Sequence, residues 1–236
     1  MPQHDYEKRQ SFNALVRYLH SVRFKALERV ARDVQPAYGP RLRVLDIGCG
    51  PASAYPVLAR LCRDVEYVGV EPRKDFCALA QARYGDRDGV EIHQASIRDR
   101  RDLIDKFDLI LGLESFEHIS EPDVVRVVEA IGRAEFQKLL ITVPNELGPA
   151  IVVKNVGSLL MGYVRHREYR WRDTFHAAIY AVEKLPVHRN GHIGFDWRWL
   201  AQTLRQNVRV TRITTSPGQW MPRALSPSIG FLCEKR

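Results

Sequence analysis

The sequence contains no run approaching the roughly eighteen apolar residues that a membrane-spanning helix requires. Its amino end, MPQHDYEKRQ, is charged and lacks the apolar stretch that opens a secretory leader. Cysteine is scarce. The four present (Cys49, Cys62, Cys77 and Cys233) form no C-x-x-C pair and no recognisable metal spacing, so reduced thiols in a cytosolic protein are the simplest reading. No internal repeat or low-complexity tract stands out. A hydrophobic content of 45% with 27% charged residues is that of a globular chain and excludes wholesale disorder. These absences leave a cytoplasmic protein, soluble or at most peripheral to a membrane. The charge balance is uneven, with a formal net charge of +8 and pI near 9.5. That favours anionic partners (nucleic acid, a phosphorylated substrate, a lipid surface) without choosing among them.

A chain of 236 residues suits one α/β domain. Phe12, Leu15, Val16, Leu19, Val22, Ala26, Leu27 and Val30 recur at helical spacing, which predicts one or two amphipathic helices over residues 5–34. Pro36, Gly39 and Pro40 break that pattern. Short apolar runs then alternate with helical stretches. Strands are expected at 41–47, 65–71, 90–95, 107–113 and 138–144, with helices near 54–63, 73–84, 98–105 and 121–133. This alternation means βαβ units and a parallel sheet. Residues 207–215 and 228–235 read as two further strands. Their connection is too short for a crossover helix, so they should pair antiparallel. The expected fold is a doubly wound, mostly parallel seven-stranded Rossmann-like sheet with an antiparallel last strand. One domain spans 1–236, with an N-terminal helical segment at 1–40 and a helical insertion or lid at 145–191.

VLDIGCGPAS (44–53) joins the first strand to the first helix of that series. Gly48 and Gly50 permit a tight turn and a close approach to a ligand. A dinucleotide fingerprint would put glycine or alanine where Ser53 stands. Asp46, two residues ahead of the first glycine, would repel a pyrophosphate and attract a cation. Glu71 ends the next strand, placed to accept hydrogen bonds from a ribose diol. A cationic group and a ribose together indicate S-adenosylmethionine (SAM). From about residue 41 to 144 the chain resembles the class I SAM-dependent methyltransferases, which carry an acid-x-Gly-x-Gly loop after the first strand and an acid after the second. In that family the residues after the third strand meet the adenine, commonly through an aspartate. The matching stretch, HQASIRD (93–99), offers Ser96 and the Ile97 backbone instead. Leu113, at the end of the fourth strand, joins the implied cofactor set of Asp46, Gly48, Gly50, Glu71, Ser96 and Ile97.

ESFEHI (114–119) follows the fourth strand, at the carboxyl edge where doubly wound sheets bind ligands. If it turns helically, Glu114, Glu117 and His118 lie at i, i+3 and i+4 on one face. Two carboxylates and an imidazole there suit a divalent metal. His192, in NGHIGFDWRWL (190–200), is the expected fourth ligand, with His176 and His188 as rivals. The stretch resembles the E-x-x-E-H group shared by ubiquinone-pathway O-methyltransferases and the terminal ribose methyltransferases of small RNAs, and VPNE (143–146) resembles their turn after the fifth strand. The resemblance implies Mg2+ or a similar cation gripping the neighbouring hydroxyls of a substrate. The competing reading is a metal-free site in which the Glu–His pair caps a helix or tunes the pocket. His118 lines the active site under either reading, and without a metal it serves as general base.

The insertion carries Arg165, Arg167, Arg170 and Arg172 among Tyr163, Tyr169 and Trp171. It reads as a solvated lid over the pocket, an interfacial helix on anionic lipid, or a nucleic-acid groove. The stretch at 150–164 is apolar enough to touch a membrane, and the resemblance to the ubiquinone-type enzymes implies peripheral membrane contact through 150–172 and a lipid-linked acceptor over RNA. Trp220 and Arg223, between the last two strands, are placed either to close the pocket or on a surface loop. The expected function is SAM-dependent O-methyl transfer to a small or lipid-linked acceptor, possible with or without a divalent cation. The alternatives are metal-independent N- or C-methylation of a small metabolite, RNA ribose methylation, and a non-catalytic binding subunit of the same fold.

Overall fold

A computed structural model describes residues 14–160, 170–186, 188 and 194–236. Helix α1 (Ala14–Arg32) leads into β1 (Leu42–Ile47), α2 (Tyr55–Leu61), β2 (Val65–Val70), α3 (Lys74–Tyr84) and β3 (Val90–His93). Then come β4 (Lys106–Leu113), α4 (Glu121–Arg133), β5 (Glu135–Pro144), α5 (Pro149–Leu160) and α6 (Trp171–Ala178). Helix α7 (Trp197–Asn207), β6 (Arg209–Thr215) and β7 (Ser228–Glu234) complete the series. The seven strands form one sheet in the order β3-β2-β1-β4-β5-β7-β6. The pairs from β3 across to β5 are parallel, and β7 runs antiparallel to both its neighbours. This is the expected architecture, including the reversed last strand.

The central strands are mostly apolar because both faces of the sheet are covered there, whereas the edge strand β6 (RVTRITT) is largely polar. Along β1, Leu42 and Val44 point to one face with Tyr67, Leu109 and Leu111. Leu45 and Ile47 point to the other with Val68, Val70 and Ile110. The first face is roofed by α1, α2 and α3 through Leu27, Val30, Leu58 and Ala80. The second is roofed by α4 and α7 through Val124, Val127, Val128, Leu200 and Leu204. Residues 98–105, expected to be helical, form only a 3-10 turn at Arg101–Leu103. The stretch RDRRDLID offers the core only the adjacent Leu103 and Ile104, too few for a helical face, and Arg100 holds Asp102 at 2.9 Å.

One buried carboxylate fixes how α1 meets the sheet. Asp108, fully buried on β4, accepts from the backbone N–H of Ala37 (2.7 Å) and of Arg43 (2.9 Å), and from the Gln137 amide (2.6 Å). The connection between α1 and β1 is thereby fastened to β4 and β5. This holds the carboxyl half of α1 over the first face, from which it reaches the functional cleft.

Candidate active site

The carboxyl ends of β1, β2 and β4 open on a cleft of about 730 Å3, a size typical of small-molecule sites. Its floor is the 48–53 loop. Gly48 and Cys49 both donate to the Val70 carbonyl, at 2.8 and 3.2 Å, turning the chain sharply off β1. Gly48 has φ +71, and a Cβ there would lie 2.5 Å from the Ser115 Cβ. Both the left-handed backbone and the close approach of the β4 loop therefore demand glycine at this position.

Two buried acids line the cleft. Glu71 accepts the backbone N–H of Gly50 (2.9 Å) and of Arg73 (2.8 Å), which leaves lone pairs on both oxygens for further donors. Burial pushes its carboxyl up, and the two backbone donors pull the other way. Asp46 is 2% exposed and accepts from the Tyr67 hydroxyl at 2.6 Å. Burial raises it to about 6, while the Tyr67 hydrogen bond and the Arg23 guanidinium oppose the shift. An acid that is costly to ionise in the free protein is stabilised by an incoming cation.

Ser96, Ile97 and Leu113 line the cleft, together with Gly48, Gly50, Glu114 and His118. Phe76 also lines it, with the Arg73 guanidinium 3.9 Å over its ring. Sequence reasoning missed Arg23 and Phe24, which α1 delivers to the same cleft. The Arg23 Nε is buried with no hydrogen-bond partner, the state expected of a donor reserved for an acidic ligand group. Its signal was slight: one arginine beside the apolar stripe of a helix read only for its core face. Ser115 was missed as well. It lines the cleft against Gly48, and its buried Oγ has no partner. The loop, the paired acids and the reserved arginine donor fit SAM, which carries a cationic sulfonium, a ribose and a carboxylate.

ESFEHI is built differently from the helical turn expected. Glu114 has φ +56 and lies outside any helix, and only Phe116–His118 form a 3-10 turn. The reason is Phe116. Its ring is fully buried and packs on the backbone of Gly112, where a Cβ would come within 2.4 Å of it. With that ring in the core, the three polar side chains do not share one helical face. Glu114 turns to β7, where it accepts from the Ser228 hydroxyl at 2.8 Å. Glu117 is fully buried, and neither of its oxygens has a hydrogen-bond partner. Burial, then the charge of Glu114, push its carboxyl well up. His118 stays in the cleft with its ring half-exposed. Desolvation lowers its pKa, the Glu114 charge opposes this, and His188 and Arg73 add to the lowering.

This arrangement does not fit the divalent cation that the resemblance implied. Glu117 and His118 approach to 4.0 Å, but Glu114 is held by Ser228, and among the described residues no three His, Cys, Asp or Glu side chains gather round one point. The expected fourth ligand, His192, lies outside the described residues, as do Arg165 and Arg167 of the basic insertion. Of its rivals, His188 is drawn to this wall. It is buried, contacts the Ile119 carbonyl at 3.2 Å through Nε2, and stands edge-on to Phe195. His176 sits on α6 beside Phe175. Trp220 and Arg223 do not line the cleft, and Trp220 is 78% exposed. Their loop is instead pinned from below, the Asn145 amide donating to the carbonyls of Arg223 and Ser226.

A family model described as a methyltransferase domain matches residues 44–134. The ubiquinone biosynthesis O-methyltransferase of Azorhizobium caulinodans is 37% identical over 93 residues, 39% of this chain and 35% of that protein. Its counterpart in Bradyrhizobium diazoefficiens is 31% identical over 108 residues, 45% of this chain and 41% of that protein. The matches thus span well under half the length of these relatives. Among solved structures, the methyltransferase domain of bacterial CtHen1 superposes with a TM-score of 0.62 at 18% identity, covering 92% of this chain and 99% of that one. The magnesium protoporphyrin IX methyltransferase of Synechocystis PCC 6803, solved with bound SAH, superposes with a TM-score of 0.62 at 14% identity over 99% of this chain and 94% of that one. At such identities the structures speak for the fold, and the matched sequence speaks for the glycine loop and the acids around it. The sheet order, the cleft and the match over residues 44–134 all point to a class I SAM-dependent methyltransferase domain.

Proposed function

We propose that the protein transfers a methyl group from SAM to a hydroxyl of a small or lipid-linked acceptor, with His118 receiving the hydroxyl's proton. The observation that carries this is a half-exposed imidazole, biased toward its neutral form, on the same cleft wall as the loop and its two buried acids. When bound, SAM supplies an electrophilic methyl on a sulfonium, transferred in line to a nucleophile held against it. The chain's own groups do the rest. Asp46 presents a carboxylate to the cationic end of the cofactor, Glu71 offers acceptors to ribose hydroxyls, and Arg23 offers a donor to a carboxylate. His118, neutral near pH 7, takes up the proton that makes the acceptor oxygen nucleophilic. The partial match to two ubiquinone biosynthesis O-methyltransferases supports oxygen as the acceptor atom.

Calorimetry tests the cofactor half of this reading, with one SAM bound per chain as the expected result. No binding would overturn it. His118→Gln tests the catalytic half. Turnover on a hydroxyl acceptor should fall about 10^2- to 10^4-fold with SAM affinity unchanged. Unchanged turnover would remove His118 as the base.

A lipid-linked acceptor is favoured by one surface. Trp171, Phe175 and Ile179 recur four residues apart along α6 and beyond its end, exposed at 78%, 55% and 55%. Val152, Val153 and Val156 of α5 are likewise exposed, and Arg170 and Arg172 flank the start of α6 as exposed residues. Exposed apolar side chains with arginine at one end suit an anionic bilayer surface. Co-sedimentation with phosphatidylglycerol vesicles should decline with salt and with Phe175→Asp. Protein left wholly in the supernatant at low salt would end this part of the proposal.

A further inference from the structure

Beneath the start of α5 lies a buried ion pair that the reaction described above does not use. Glu146, in the turn after β5, is fully buried, and its Oε1 stands 2.9 Å from the Nζ of Lys154 on α5. The lysine side chain itself is only 14% exposed. Burying both charges is costly, so such a pair is more informative about what surrounds it than about stability. What surrounds it is the acidic wall of the active site. Glu117, buried and with no hydrogen-bond partner for either oxygen, lies within the fields of Lys154, Glu146 and Glu114. The Glu117 Oε1 is in turn 4.0 Å from the His118 Nε2.

Buried carboxylates such as Glu117 and Glu146 ordinarily call for a cation whose charge offsets theirs. Here a cation is already built into the group. Glu114 has its own partner in Ser228, Glu146 has Lys154, and the charges of both reach the buried Glu117. A fixed ammonium at this point also repels any divalent ion that approaches Glu117.

We propose that Lys154 is the resident counter-ion of this wall, standing in electrostatically for a divalent metal, so that the Glu114–Glu117–His118 stretch works without one. Lys154 is then a positioning residue. It keeps Glu117 and Glu146 compensated beneath the cleft and leaves His118 as the group that meets the acceptor's proton. The inference concerns cation binding and stands apart from methyl transfer, so it can fail while that reading survives, and the reverse.

The experiment is a Mn2+ titration of the full chain, followed by the electron paramagnetic resonance of unbound Mn2+, with SAM calorimetry on the same samples as a check on folding. The wild-type protein and Lys154→Arg should bind no Mn2+ up to about 1 mM, the weak end of protein affinities for divalent ions. Lys154→Gln should bind one Mn2+ at least about tenfold more tightly than wild type, and adding Glu117→Gln should abolish that gain. One Mn2+ bound by the wild-type chain and lost in Glu117→Gln would overturn the proposal. So would a folded, SAM-binding Lys154→Gln with no gain. If Lys154→Gln does not fold, the wild-type, Lys154→Arg and Glu117→Gln titrations decide. Mn2+ binding to the first two that depends on Glu117 refutes the proposal, and its absence from both upholds it.

Discussion

Lowering the pH from 7 to 5 should weaken SAM binding about tenfold through a single carboxylate. Asp46 is buried and titrates near pH 6 in the free protein. If only its ionised form receives the cationic end of the cofactor, the competent fraction falls from about nine-tenths to about one-tenth across that interval, or about 1.4 kcal/mol. Tyr67→Phe removes the hydrogen bond that opposes the shift, so the midpoint of the profile should move to higher pH. Asp46→Asn should lower the affinity and flatten the Asp46-dependent part of the slope. S-adenosylhomocysteine keeps the ammonium of SAM and has lost the sulfonium charge. A shallower slope with that ligand would identify the sulfonium as the group Asp46 senses. The same carboxylate makes a second, opposite forecast for the empty protein. Its folded pKa lies above the unfolded value, so protonation favours the native state. Stability is full below about pH 4 and declines as pH rises to about 6, by roughly 3 kcal/mol. Asp46→Asn should therefore raise the melting temperature at pH 7 while weakening the cofactor. Isothermal calorimetry between pH 5 and 7.5, with thermal melts alongside, measures both. A flat wild-type binding profile, or the same slope in Asp46→Asn, would refute the reasoning.

Three further outcomes follow from the geometry. Glu71→Ala removes the acceptor that ties Gly50 to Arg73, and losing two charge-assisted bonds of about 1.5–3 kcal/mol each should weaken SAM at least about tenfold, as read by calorimetry. Gly48→Ala meets both a positive φ and the Ser115 Cβ. Denaturant unfolding should show a loss of about 1–3 kcal/mol, with cofactor binding impaired. Phe116→Ala should cost about 3–5 kcal/mol and disturb His118 at the same time, because the ring anchors the loop that carries it. Unfolding curves and single-turnover rates on one preparation would show whether the two losses travel together.

The elements that were legible in the sequence share a property: each rests on neighbours in the chain. The apolar runs of β1, β2, β4 and β5 announce strands buried on both faces, and only their ends differ from the reading, by a few residues. Asp46 precedes Gly48 by two positions and Glu71 closes β2, so the strands carry both acids to one sheet edge whatever the rest of the fold does. The acids that line the cleft were therefore placed locally.

The acidic wall was decided only in three dimensions. The spacing of Glu114, Glu117 and His118 suggested one helical face, but the burial of Phe116 against Gly112 outweighs helical regularity over so short a turn. No local pattern could show that Ser228 of β7 would take Glu114, that Lys154 of α5 would be buried against Glu146, or that α1 would bring Arg23 to the cleft. Each of these depends on elements remote in sequence meeting across a packed sheet. Side-chain direction at such junctions is set by which large residue must be buried, and that is a property of the assembled core rather than of the residues' order.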